Sequence, residues 1–336
     1  MKRSILILTC FVILISLARP EAKRNSDGLF SILRDGKVGF IDRTGKIVIK
    51  PQFEMADDFS EGLARITITT DPRSYPFIKH GYIDTIGRIA IKPQFDEAYD
   101  FSEGLALVKN GDLHGFIDKT GQMIIKPQFY GARGAGFSEG LAGVAMNGKW
   151  GYIDNTGKLA IPLQFDYEGD FSEGLSWVYV GRKAGYIDKS GKIVIQPQFD
   201  EALNFSEGLA TVKIGGKWGY IDKTGKVVIR PQFNSVYEFS EGLARVSKGD
   251  KFGFIDKSGE MVIEERYDVM TSDFSEGLAP VCSNDKCGYI NKSGEMVIKP
   301  EFDLALPFSE GIAQVHVGIG IGYIDKSGKY IWQPSD

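Results

Sequence analysis

A glycine followed by an aromatic residue and then Ile-Asp or Ile-Asn returns at Gly39, Gly81, Gly115, Gly151, Gly185, Gly219, Gly253, Gly288 and Gly322. The intervals are 42, 34, 36, 34, 34, 34, 35 and 34 residues, so the chain is built from nine copies of one short unit. A unit of this size cannot bury an apolar face alone, and a near-constant period implies that each copy completes its core against its neighbours.

The residues within a unit assign its local structure. Leu243-Ala244-Arg245-Val246 reads as a strand, and Phe252-Gly253-Phe254-Ile255 as its partner. The turns between such strands include Asp35-Gly36, Asn110-Gly111, Asn147-Gly148 and Gly215-Gly216, pairs that accept the positive φ of a two-residue hairpin, so the pairing is antiparallel. The second strand ends at Asp-x-Thr/Ser-Gly, as in Asp118-Lys119-Thr120-Gly121. There Asp caps backbone amides and Gly supplies the left-handed residue that rejoins the next strand. Asn291 fills the same place in one unit and keeps the turn without the charge, which favours turn chemistry over a metal or catalytic role for this column. A third strand, Lys192-Ile193-Val194-Ile195, is rich in β-branched residues. Each unit is therefore predicted to be a three-stranded meander. Its connector, from Pro197-Gln198-Phe199 to Phe205-Ser206-Glu207-Gly208, is expected to bury its aromatics as a plug between neighbours.

The composition agrees with an all-β chain that folds: 43% hydrophobic, 25% charged, 12% aromatic and 41 glycines. Residues 1–26 differ from the rest. Lys2 and Arg3 precede a largely apolar stretch from Ile5 to Leu17, which reads as an export signal and is short of the roughly 20 residues that span a bilayer. Cys10 does not fit lipid attachment, because Thr9 precedes it and the apolar run continues past it. Residues 1–26 carry a net charge of +4, leaving −8 on the remainder, a poor match to nucleic acid or anionic membrane. The expected location is periplasmic, cell-surface or secreted, with no stable membrane insertion.

Lys217-Trp218-Gly219-Tyr220-Ile221-Asp222, Pro231-Gln232-Phe233 and Phe239-Ser240-Glu241-Gly242-Leu243-Ala244 together resemble the WG repeat, also called the KWG repeat, of bacterial proteins. The likeness runs from Gly28 to about Trp332. It implies a β-rich repeat array, bacterial origin and frequent export, and it implies no common activity. The Trp that names the repeat stands only at Trp150 and Trp218; Val38, His80, His114, Ala184, Phe252, Cys287 and Ile321 replace it elsewhere.

Repetition assigns most conspicuous residues to the scaffold, whereas a catalytic site needs an asymmetric cluster of different groups. No catalytic, cofactor-binding or metal-ligating residue is assigned. His80, His114 and His316 lack the spacing of a metal site. The glutamates of Ser-Glu-Gly lack the alternating acidic ligands of a calcium loop. Gly131-Ala132-Arg133-Gly134-Ala135-Gly136 lacks the Gly-Lys-Ser/Thr ending of a phosphate loop and reads as a two-residue insertion. Departures from the repeat are the better binding candidates. These are Arg73 and Tyr75 in a hairpin lengthened by eight residues, and the run Trp177, Tyr179 and Arg182. Cys282 and Cys287 flank one hairpin turn and are candidates for a disulfide or for two free thiols.

The sequence thus predicts a signal peptide at residues 1–26 and an all-β domain of nine units at 28–332. The expected architecture is a propeller-like ring, with an open superhelix or solenoid as the alternative. The expected function is a non-enzymatic scaffold that binds a protein or glycan, with no cofactor. The alternatives are an envelope enzyme acting on sugar or cell-wall polymer, and a structural spacer. Trp150 and Trp218, on the same strand face as the following Tyr, are expected to be half-buried core.

Overall fold

The computed structural model describes residues 27–70, 78–134, 136–270 and 272–335. Among these residues every regular element is a β-strand. The strands form nine small antiparallel sheets set in a ring, a nine-bladed β-propeller, so the chain closes rather than extending as an open superhelix. Blades one to nine cover residues 29–53, 55–95, 97–129, 131–165, 167–199, 201–233, 235–267, 278–302 and 304–335.

Blade six shows the common plan, with strands Glu201–Ser206, Leu209–Ile214, Lys217–Asp222 and Val227–Phe233. Its last three strands are the meander expected from the sequence. The first strand corrects the expectation for the connector. Besides burying Ala202 and Phe205, the connector pairs along the free edge of the second strand, with Ala202 opposite Val212 and Phe205 opposite Ala210. A bulge between those two pairs breaks the simple alternation that marks a strand in sequence. Among the described residues seven sheets have four strands, while those of blades one and eight have three.

The faces of the central strand are both used. Successive strand residues point to opposite sides, so a strand covered on one side only would bury one of Tyr220 and Ile221. In the ring each blade lies between two others, so both sides are covered. Tyr220 packs edge-on against Phe239 of blade seven, ring centroids 5.0 Å apart, while Ile221 joins the cluster of Tyr186, Phe199 and Phe205 shared with blade five. Both are 0% exposed.

The period-setting glycine answers to close approach. Between the pairs Trp218–Phe233 and Tyr220–Ile229, the fourth strand carries Arg230, Pro231 and Gln232 against the single residue Gly219. This bulge presses the backbone of the fourth strand onto the glycine. A Cβ at position 219 would lie 2.5 Å from the Ile229 carbonyl oxygen and 2.7 Å from the Pro231 nitrogen. The equivalent carbonyls of Ile91, Ile125 and Ile195 would meet a Cβ at 2.5 Å at Gly81, Gly115 and Gly185.

Neighbouring blades are joined at the Ser-Glu-Gly turn. Glu207 and Gly208 both have positive φ, 52° and 87°, as a tight two-residue hairpin requires. The Glu207 carboxylate then accepts the Gly242 amide at 3.1 Å and the Lys257 ammonium at 3.0 Å. The Ser206 hydroxyl donates to the Phe239 carbonyl at 2.7 Å. At the junction of blades nine and one, Arg43 donates to Glu310 at 2.7 Å, and the Tyr323 hydroxyl donates to the Ser31 carbonyl at 2.6 Å. The Tyr323 ring also meets Phe30 at 5.6 Å. No sheet among the described residues mixes strands from the two ends, so side chains close the ring.

Replacement Gly219→Ala is expected to lower stability by at least the roughly 1–3 kcal/mol of an overpacked site, because backbone blocks the new methyl. Lys217→Ala, on an exposed neighbour in the same strand, is expected to stay within about 0.5 kcal/mol. Equilibrium urea unfolding of both variants checks the contrast.

Candidate functional site

The repeated polar residues are consumed by the architecture. The Asp222 carboxylate accepts the Thr224 hydroxyl at 2.6 Å and the amides of Thr224 and Lys226 at 2.9 and 3.1 Å. The Thr224 hydroxyl, foremost, and these amides hold the Asp222 carboxyl below its ordinary range. Asn291 accepts the same three bonds through its amide oxygen, from Ser293 and Glu295. The histidines are held separately. His80 Nδ1 lies 2.9 Å from the Thr67 hydroxyl, His114 Nδ1 3.4 Å from the Phe129 carbonyl, and His316 Nε2 2.9 Å from Gln314. Burial is the leading cause that lowers the pKa of each imidazole. Among the described residues no three His, Cys, Asp or Glu side chains gather as a metal site would require. Trp150 and Trp218 are half-buried and pack on the core clusters of their blades, with Lys213 Nζ 5.4 Å from the Trp218 ring centre.

What remains is where the repeat fails, and one such stretch runs through blades three to five. In most blades the Lys opening the third strand pairs with an acid just past the fourth, as Lys149–Asp166 at 2.6 Å and Lys183–Asp200 at 2.7 Å. In blade three Leu113 and Tyr130 stand there instead, and Tyr130 is 69% exposed. Blades three and six carry cross-strand ion pairs, Glu97–Lys109 and Glu201–Lys213, each 2.7 Å. Blade five has Tyr167 opposite Tyr179 at that position, ring centroids 6.2 Å apart, with Tyr167 63% exposed. Trp177, two residues before Tyr179 and on the same strand face, lies 5.8 Å from its ring, and the Arg133 guanidinium lies 5.3 Å from the Trp177 ring centre.

The structure therefore brings together Trp177 and Tyr179, two of the residues singled out from the sequence, and adds Tyr167 and Arg133, while Tyr130 stands exposed just past the last strand of blade three. Arg182 lies on the exposed hairpin turn beyond Val180. Arg73 and Tyr75 fall outside the described residues.

Beneath this surface lies Glu168, a residue that sequence reasoning missed. Its position in the connector strand is a buried Ala98, Ala202 or Ala305 in other blades. Room for the longer side chain comes from Gly143 on blade four, where a Cβ would strike the Glu168 carboxylate. The Glu168 side chain is 0% exposed, its two oxygens accept no hydrogen bond, and Arg133 Nε is 3.9 Å away. The Arg133 guanidinium is occupied with the Glu168 carbonyl, to which Nη1 donates at 2.9 Å. The Tyr152 hydroxyl is turned to the Gly169 carbonyl at 2.8 Å and to Ser176 at 2.8 Å. Burial pushes the Glu168 carboxyl up to about 8; Arg133 and the nearby Tyr152 hydroxyl oppose the shift and Asp170 adds to it. The available signal was a Glu replacing Ala in one column and a Gly replacing larger residues in another, one blade earlier.

Cys282 and Cys287 are directly opposite on adjacent strands of blade eight, Cα atoms 4.0 Å apart, and the structure joins them by a disulfide. They occupy the cross-strand position of Lys213 and Trp218 in blade six. No free thiol is expected from this pair when the protein is denatured without reductant, and a count of two would contradict the bond.

The Glu168 carboxyl binds its proton more tightly folded than unfolded, so its contribution to stability is full below its ordinary value of 4.5 and is lost as pH rises through about 8. Across that window it is expected to lower stability by up to about 1.4 kcal/mol per pH unit. Glu168→Gln should remove this slope. Urea unfolding of both proteins at about pH 5.5 and about pH 7.5 measures it; equal pH dependence would contradict the assignment.

Among solved structures, one similarity supports the architecture. A eukaryotic initiation factor matches with a TM-score of 0.64 at 11% identity, over 91% of this chain and 95% of that one. The extracellular domain of a putative hybrid two-component system of B. thetaiotaomicron matches with a TM-score of 0.29 at 10% identity, over 93% of this chain and 51% of that one. PorZ, a surface component of the type-IX secretion system of Porphyromonas gingivalis, matches with a TM-score of 0.35 at 11% identity, over 94% and 52%. The chain thus spans about half the length of the latter two. No curated protein matches it. The WG containing repeat is found at residues 39–68, 81–113, 115–150, 150–183, 185–218, 218–252, 252–287 and 288–318. With eight matches in succession and a ninth blade of the same plan behind them, the chain belongs to the WG repeat family.

Proposed function

We propose that the protein is an exported, non-enzymatic scaffold that binds a protein or glycan partner through blades three to five. The observation that carries this reading is the replacement of surface ion pairs by exposed aromatic rings at Tyr130 and Tyr167, in a ring whose shared positions are spent on folding. An exposed tyrosine exchanges a solvated charge pair for a large, rigid surface with few rotatable bonds and a polar tip, which suits recognition. Half-buried Trp177 and Tyr179 extend that surface, and Arg182 adds a charge on an exposed turn nearby in the chain. Export is supported by the basic and apolar composition of residues 1–26 and by the Cys282–Cys287 bond, which an oxidising compartment would preserve.

The test is a glycan-array and protein-partner screen with the wild-type protein and the double variant Tyr130→Ser/Tyr167→Ser. The variant is expected to keep its melting temperature and to weaken the captured ligand by about thirtyfold, the scale of an aromatic contact worth about 2 kcal/mol. Unchanged binding by the double variant would place the interface elsewhere.

A further inference from the structure

We propose that the seam between blades four and five is a proton-controlled latch, in which ionisation of Glu168 draws the Arg133 guanidinium off the Trp177 ring. Glu168 fills space left by Gly143, its side chain is fully enclosed, and neither carboxyl oxygen accepts a hydrogen bond. An enclosed acid without partners is accommodated as the neutral form and poorly tolerated as an anion.

The groups facing it decide what happens when the proton leaves. On its own segment are the carboxylate of Asp170, which repels an anion, and the carbonyl of Gly169. Tyr152 on blade four and Ser176 on blade five bond to that carbonyl and to each other. Gly143 on blade four offers no side chain. The Tyr152 hydroxyl also faces the carboxyl but is committed to the Gly169 carbonyl and Ser176, so the group free to swing is Arg133, with Nε 3.9 Å from the carboxylate and a side chain 34% exposed. It begins stacked 5.3 Å from the Trp177 ring centre and bonded to the Glu168 carbonyl. A buried carboxylate attracts a guanidinium through charge and two-pronged hydrogen bonding, which is stronger than stacking on an indole. Ionisation thus converts a 3.9 Å approach into a direct ion pair and uncovers one face of Trp177. The repeat supplies a contrast: buried Ala98 and Ala202 hold the same position at other seams, which carry no such group.

The latch does not depend on what the aromatic surface binds, so its test needs no ligand. Tryptophan emission and near-ultraviolet circular dichroism are followed on the full chain from roughly pH 6 to pH 10. The wild type is expected to show a reversible transition with a midpoint near about 8. Trp177→Phe should lose most of its amplitude, and Glu168→Gln, which mimics the neutral acid, should be flat. Arg133→Gln serves as a second variant if Glu168→Gln does not fold, and should be flat also because nothing is left to move. A wild type without a transition, or a transition that survives in Glu168→Gln or in Arg133→Gln, would overturn the proposal.

Discussion

The structure depends on a glutamate held in a left-handed conformation. Glu61, Glu103, Glu139, Glu173, Glu207, Glu241, Glu276 and Glu310 all have φ between 52° and 54°. For a residue with a side chain this conformation costs roughly 1–2 kcal/mol. The cost is offset across the blade boundary, where the carboxylate accepts the glycine amide of the next Glu-Gly turn, as Glu173 does from Gly208. A cation from the next blade neutralises it, as Lys223 does at 3.0 Å. Exposed ion pairs of this kind are individually weak, so their value lies in geometry. Each turn fixes the position of the turn that follows it. Asp27 plays the part of Glu in the first unit, accepting the Gly62 amide at 2.9 Å, and Glu310 meets Arg43 at the last boundary. The ion pair that joins most neighbouring blades therefore also joins the ends.

Closure determines how the rest of the sequence is used. With both faces of each blade covered, the aromatic after the period-setting glycine packs against the next blade's Phe-Ser phenylalanine. The pairs Tyr82–Phe101, Tyr152–Phe171 and Tyr186–Phe205 are edge-on, with centroids 4.9, 4.9 and 5.0 Å apart. Such pairs contribute beyond their buried area. Repeated positions are consequently committed to the scaffold, and individuality appears only where one blade departs from the others. Glu168 and Gly143 show the pattern in the core: an acid enters where alanine is usual, and the facing blade loses a side chain to admit it. Tyr130 and Tyr167 show it on the surface.

The period, the hairpins and the Asp-x-Thr-Gly turns were legible because each is written in local residue chemistry. Asn147-Gly148 and Asp222-Lys223-Thr224-Gly225 specify backbone conformations by themselves. The facing cysteines were legible in the same way, since a short hairpin fixes which residues stand opposite. The connector strand was not, because the bulge between Ala202 and Phe205 spoils its alternation. Burial of both Tyr220 and Ile221 depends on neighbours that are distant in sequence. Glu168 was hidden for a further reason: its meaning depends on Gly143 of the previous blade, 25 positions earlier, and on an arginine in an insertion. Tertiary pairing of this kind leaves no local pattern.

The central claim is that nine blades close into a ring through side-chain links, with no strand shared between the ends among the described residues. Small-angle X-ray scattering from the monomeric protein tests it most directly. A closed ring predicts a compact, disc-like particle whose radius of gyration stays near the roughly 20 Å expected for a globular chain of this length. A rod-like pair-distance distribution with a long tail, as an open stack of meanders would give, would contradict it.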